Sequence, residues 1–152
     1  MEMILRNPDG RYVIYNLADY TTVAIVAGYE LGQVGADWTF AGLGGFYGTD
    51  TTDMLLRNST TGGFEVYDIG NNNITNAALL GAVGLDWQVM GFGNFSSCGE
   101  TDMILRNNNT GQLELYDISN NQITGTSFMG SVGLNWSLWR SAISAVGPAK
   151  PT

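Results

Sequence analysis

"TDMLLRNSTTGGFEVYDIGNNNIT" (residues 52–75) and "TDMILRNNNTGQLELYDISNNQIT" (residues 101–124) are nearly the same string, and a worn third copy, "MEMILRNPDGRYVIYNL", fills residues 1–17. Aligning the copies on their Arg-Asn pair puts Arg6, Arg57 and Arg106 in register, at offsets of 51 and 49. The tryptophan of each Gly-x-(Asp/Asn)-Trp string falls at Trp38, Trp87 and Trp136, 49 residues apart each time. A period held through the whole chain means one supersecondary unit, repeated. Such a unit cannot bury its apolar surface alone, so it must stack on its neighbours.

Within a unit, Asp53 to Asn58 is a short apolar run bounded by turn residues, as expected of a strand covered on both faces. Ser-Thr-Thr-Gly-Gly and Asn-Asn-Thr-Gly read as hairpin turns, because Asn and Gly accept positive φ. Gly63 to Ile69 sets Phe64, Val66 and Asp68 against Glu65, Tyr67 and Ile69, which predicts a half-covered strand. After the Gly-Asn-Asn-Asn turn comes a looser apolar stretch, Ile74 to Val83, where Ala77 to Val83 allows at most a turn or two of helix. Asp86 to Phe95 reads as a glycine-rich strand. Four antiparallel strands per 50-residue unit predict an all-β fold and describe the blade of a β-propeller. A β-trefoil, also twelve strands in three copies, is the alternative.

The composition narrows function. With 44% hydrophobic residues in 152, a packed core is expected. Fourteen acidic against six basic residues give a net charge of -8, which repels phosphate backbones and anionic headgroups, so neither nucleic acid nor membrane insertion is expected. There is no His, the commonest general base and zinc ligand near neutral pH, and the single cysteine, Cys98, has no partner thiol within the chain. No apolar run is long enough to span a bilayer and no signal peptide is recognised.

The stretch "GFGNFSSCGETDMILRNNNTGQLELYDI" (residues 91–118) resembles the FG-GAP or VCBS-type repeat, whose pattern runs Gly-Asp-Phe-Asn-Gly-Asp-Gly-Lys-Thr-Asp-Ile-Leu-Trp-Arg-Asn and continues into a glycine turn and an aromatic-rich strand. The resemblance extends over the chain in three copies. It implies a β-propeller in an extracellular or cell-surface setting, as an enzyme appendage, adhesin or lectin-like binder. It also implies a calcium-binding loop between the first two strands of a blade, but the ligands are mostly gone here. Gly45, Tyr47 and Thr49 stand at ligand positions, leaving Asp53 with Asp50 nearby, and the second loop offers Asn94, Ser96, Cys98 and Asp102. No metal and no cofactor are therefore expected.

By the same resemblance the Trp-containing strand is the innermost of a blade. The chain then reads as a single repeat domain over 1–152: blade 1 from 3–28 plus a C-terminal strand at 136–146, blade 2 from 38–83, and blade 3 from 87–132. Three blades are too few to close a ring, so the expectation is a homodimer forming a six-bladed propeller, its C-terminal strand pairing in its own chain or in the partner.

Candidate site residues follow from the register. Arg6, Arg57 and Arg106 suit a place between blades, where a guanidinium bonds carbonyls, stacks on an aromatic ring or pairs with Asp68 or Asp117; the other reading has them face a ligand. Asp37-Trp38, Asp86-Trp87 and Asn135-Trp136 each place an aromatic plate beside a short polar side chain, a combination that holds sugars; wedge filling between blades is the competing role. The chain is thus read as a non-enzymatic, lectin-like module with glycans and a second copy of itself as partners. The alternative is an assembly segment of a larger secreted protein, natural or engineered, with no ligand of its own. No catalytic residues are assigned, because no spacing pairs an acid and a base.

Overall fold

The structure is a computed structural model that describes residues 1–19, 21–48, 52–96 and 99–138. It is all-β: the described residues form eleven strands and no helix. The first sheet is three-stranded and antiparallel, in the order β1 (Glu2–Arg6), β2 (Arg11–Leu17), β3 (Ile25–Gln33). The second is four-stranded, β4 (Trp38–Gly44), β5 (Asp53–Asn58), β6 (Gly63–Gly70), β7 (Asn73–Ala82). The third repeats it with β8 (Trp87–Gly93), β9 (Asp102–Asn107), β10 (Gln112–Ser119) and β11 (Gln122–Ser131). Register is shared too: Trp38 lies opposite Asn58 and Gly44 opposite Asp53, as Trp87 lies opposite Asn107 and Gly93 opposite Asp102.

The sheets stack in a row. Ile14, Tyr12 and Leu31 of the first sheet meet Met54, Leu56 and Ile69 of the second. The second sheet's other face presents Leu55, Phe64, Val66 and Leu80, with Phe46 from the β4–β5 loop, to Met103, Leu105, Tyr116 and Ile118 of the third. Burying each of these large side chains is worth about 1.5–3 kcal/mol, so the stacking of the sheets contributes a large share of the stability. Strands touch between sheets through β3 with β7, β4 with β8 and β7 with β11; among the described residues the first and third sheets do not touch.

Two local expectations differ from the structure. The stretch Ala77 to Val83 forms no helical turn, because β6 offers its free edge and the stretch pairs with it as β7, where tertiary pairing overrides local preference. β6 itself is covered on both faces rather than one, since the second sheet lies between two others and buries Phe64 and Val66 on one side and Ile69 on the other. The first sheet has three strands where four were expected. Of the proposed C-terminal strand at 136–146, Trp136 to Leu138 belong to no strand, and the rest lies outside the described residues.

Each outer strand carries two bulges against its neighbour. At one of them Leu31, Leu80 and Met129 are the extra residues, each beside a glycine with φ of 132°, 133° and 125° at Gly32, Gly81 and Gly130. A bulge re-aims the extra side chain, here into the space between sheets: Leu31 and Leu80 are both buried in the two cores.

Candidate functional site

The residues selected by register gather where one sheet hands the chain to the next. In the linker between the second and third sheets, the Trp87 N–H donates to the Gly84 carbonyl, closing a turn that leads into β8. Arg57, on β5, reaches across to this turn. Its Nη1 donates to the Trp87 carbonyl and its Nη2 to the Gly84 carbonyl at 2.9 Å, and the guanidinium lies 5.0 Å from the Phe64 ring centroid. Arginine suits this place because its planar fork presents two donors at the spacing of two neighbouring carbonyls while its face packs on an aromatic ring. Burial pushes the Arg57 pKa below the ordinary arginine value, with the Asp86 carboxylate pulling the other way. Arg106 repeats the clamp on the chain leaving the third sheet, donating to the Trp136 carbonyl at 2.7 Å and the Gly133 carbonyl at 2.8 Å. Arg6 differs: it is exposed, and its guanidinium lies 5.8 Å from the ring of Tyr12 in its own sheet.

The acidic partners of the tryptophans are engaged in the same junctions. Asn58 Nδ2 donates to Asp37 Oδ2 at 2.7 Å, while Asn58 Oδ1 accepts the N–H groups of Thr60 and Thr61 and so shapes the β5–β6 turn. Asn107 does the same with Asp86, at 2.7 Å, and with the N–H groups of Asn109 and Thr110. The backbone doubles each link, the Ser59 and Asn108 N–H groups donating to the carbonyls of Asp37 and Asp86. Trp38 and Trp87 are half-buried against the two cores. In the third pair both members are exposed, Trp136 to 69%.

The β4–β5 and β8–β9 loops are organised by buried carboxylates. Asp53 Oδ2 accepts the N–H groups of Phe46 and Tyr47, and Oδ1 accepts that of Ile69. Asp102 accepts from Phe95 and Ser96 on one oxygen and from Ile118 on the other, with the Ser96 hydroxyl added. Both side chains thus hold the backbone of their own sheet. Among the described residues no group of three or more His, Cys, Asp or Glu side chains is placed to hold a metal, and no pocket is formed; Asp50 and Cys98 lie outside the described residues.

Sequence reasoning missed one junction. Asp68 bonds neither Arg57 nor Arg106; its two oxygens accept Asn121 Nδ2 at 2.8 and 2.7 Å, from the β10–β11 turn of the next sheet. The Asn121 N–H also donates to the Phe46 carbonyl, so this turn docks on the second sheet by side chain and backbone together. Asn120 and Asn121 have φ of 50° and 57°, the left-handed pair of a tight hairpin turn, and the doubled asparagine was the available signal. Tyr67 and Tyr116 donate to Glu65 and Glu114, both at 2.9 Å, and burial, aided by the neighbouring carboxylate, pushes both phenols up, Tyr116 to about 12.

The site that emerges is a set of joints between sheets, polar at the rims and apolar in the middle. Compared with protein-family models, curated proteins and solved structures, the chain matches none.

Proposed function

We propose that this chain is a non-enzymatic assembly module, three adjoining blades of a β-propeller whose six-bladed ring is completed by a second copy. One observation carries the reading: positions buried at the internal joints are bare at the two ends of the row. Phe46 is 0% exposed between the second and third sheets, and its counterpart on the third sheet's outer face, Phe95, is 37% exposed. Leu80 is 8% exposed, whereas Met129 is 50% exposed. On the opposite end, Leu105 is 0% exposed and its counterpart Leu5, on the first sheet, is 49% exposed. The two bare faces are the two halves of a joint the chain already makes twice. A contact of that head-to-tail kind either closes a ring or runs on as a filament, and closing after two copies leaves no apolar face in water.

Light scattering across a dilution series tests this. The expected mass is twice 16.3 kDa, falling to a single chain in Leu5→Asp and Met129→Asp variants that keep their β-sheet circular dichroism. A single-chain mass at high concentration in the unmodified protein refutes the proposal.

Glycan binding stands as the second reading, favoured by the exposed Asn135-Trp136 pair alone. The Asp37 and Asp86 carboxylates already hold asparagine amides, and Trp38 and Trp87 already fill joints. A glycan array that responds to the unmodified protein and falls silent with Trp136→Ala would establish it.

A further inference from the structure

Resting on that assembly reading, we infer that the ring closes by strand exchange: Trp136 to Leu138 of one copy lie along β1 of a second copy, in the place of its first sheet's fourth strand. The first observation is the open edge. β1 corresponds to β5 and β9, each flanked on its far side by a strand that starts at tryptophan, β4 and β8. Among the described residues the far edge of β1 has no strand beside it. A row of unpaired backbone donors and acceptors is a template for strand addition.

The second observation says whose strand fills it. The chain leaves the third sheet along the same path by which it leaves the second. The Val132 N–H donates to Gly111 as Val83 does to Gly62, and the Trp136 N–H donates to Gly133 as Trp87 does to Gly84. Arg106 then holds the Gly133 and Trp136 carbonyls as Arg57 holds those of Gly84 and Trp87. After Gly84 that path delivers the first strand of the next sheet in the row. After Gly133 it directs the chain toward the place where a fourth sheet would stack. The chain's own β1 is two sheets back, in a sheet that among the described residues does not touch the third. The β1 edge within reach is that of another copy, seated on the outer face bearing Phe95 and Met129.

Register follows from the two internal examples. Trp38 and Trp87 oppose Asn58 and Asn107, and Phe40 and Val89 oppose Leu56 and Leu105. Trp136 of one copy therefore opposes Asn7 of the other, and Leu138 opposes Leu5. One bond is missing from the exchanged joint. The position of Ser59 and Asn108, whose N–H groups donate to Asp37 and Asp86, is taken in the first sheet by Pro8, which has no N–H to give to Asn135. The joint between copies is thus weaker by that bond than the two joints within the chain.

Two single-cysteine proteins test the exchange, Leu5→Cys and Leu138→Cys, each with Cys98→Ser. Both leucines are exposed, so folding is not at stake. Directly opposed residues lie within disulfide reach. Mixed, allowed to exchange and oxidised with copper phenanthroline, the two should give a covalent dimer with one chain of each kind, and neither alone should cross-link. The protein carrying both cysteines should run as a closed covalent dimer. A single-chain band with an internal disulfide means closure within one chain and overturns the inference. A two-chain solution mass without cross-linking overturns strand exchange but leaves assembly standing, whereas a single-chain solution mass removes assembly itself.

Discussion

Replacing Asp102 with alanine removes the acceptor for three backbone N–H groups, and the structure says what each loss costs. The Ile118 N–H belongs to a fully buried residue that water does not reach, so its desolvation penalty is about 2 kcal/mol. Phe95 and Ser96 sit in a loop where water can replace the carboxylate, and each loses about 0.5–1 kcal/mol. The sum is about 3–4 kcal/mol. Asp53→Ala removes the matching bonds, but there Phe46 is as deeply buried as Ile69, so a second N–H is left without water and the loss rises to about 4–6 kcal/mol. Glu2 holds the same register position in the first sheet and is exposed, so Glu2→Ala should change stability by less than about 0.5 kcal/mol. Urea unfolding followed by tryptophan fluorescence, at one fixed protein concentration, measures all three. If Asp102→Ala costs under about 1 kcal/mol, or as much as Asp53→Ala, the carboxylates do not anchor these loops in the way argued.

Gly111→Ala should cost about 2–4 kcal/mol, because Gly111 has φ of 74° and an added Cβ would fall 2.0 Å from the Val132 carbonyl oxygen. Gly48→Ala, at a φ of 71° but facing open space, should cost only about 1 kcal/mol, and the difference appears in urea midpoints. Alkali should weaken the fold through its buried phenols. Tyr116 is raised in the folded state from 10.0 to about 12, so its contribution is intact below pH 10 and is lost as pH climbs to about 12, with Tyr67 shifted in the same direction. Phenolate absorbance should rise together with unfolding in that window, and Tyr116→Phe should lessen the pH dependence.

The repeat made strand positions legible because the signals recur in register: the Arg-Asn pair ends β5 and β9, the tryptophan opens β4 and β8, and doubled glycine or asparagine turns separate the rest. What failed to show was anything decided between units. Ile74 to Val83 looks ambiguous alone and becomes β7 because β6 offers an edge. Phe64 and Ile69 read as opposite faces of one strand, and nothing in their spacing tells that both faces are covered. The guanidinium role of Arg57 was legible as one option among several, since an arginine in register can bond carbonyls, carboxylates or a ligand, and only the position of the Gly84–Trp87 turn decides. The Asn121 amide on Asp68 joins residues 53 apart, a distance no local pattern reports.

The bulges on β3, β7 and β11 bear on how such a molecule avoids pairing edge to edge. Those strands form the rim of each sheet, and a straight rim of nine or ten residues invites stray chains to pair along it. The kink at Gly32, Gly81 and Gly130 bends each rim out of line, and at the first two the residue it displaces, Leu31 or Leu80, turns inward toward the neighbouring sheet. One device therefore does two jobs, discouraging sideways accretion while deepening the contact between stacked sheets. In the proposed assembly, that leaves the stacking faces as the direction in which copies add.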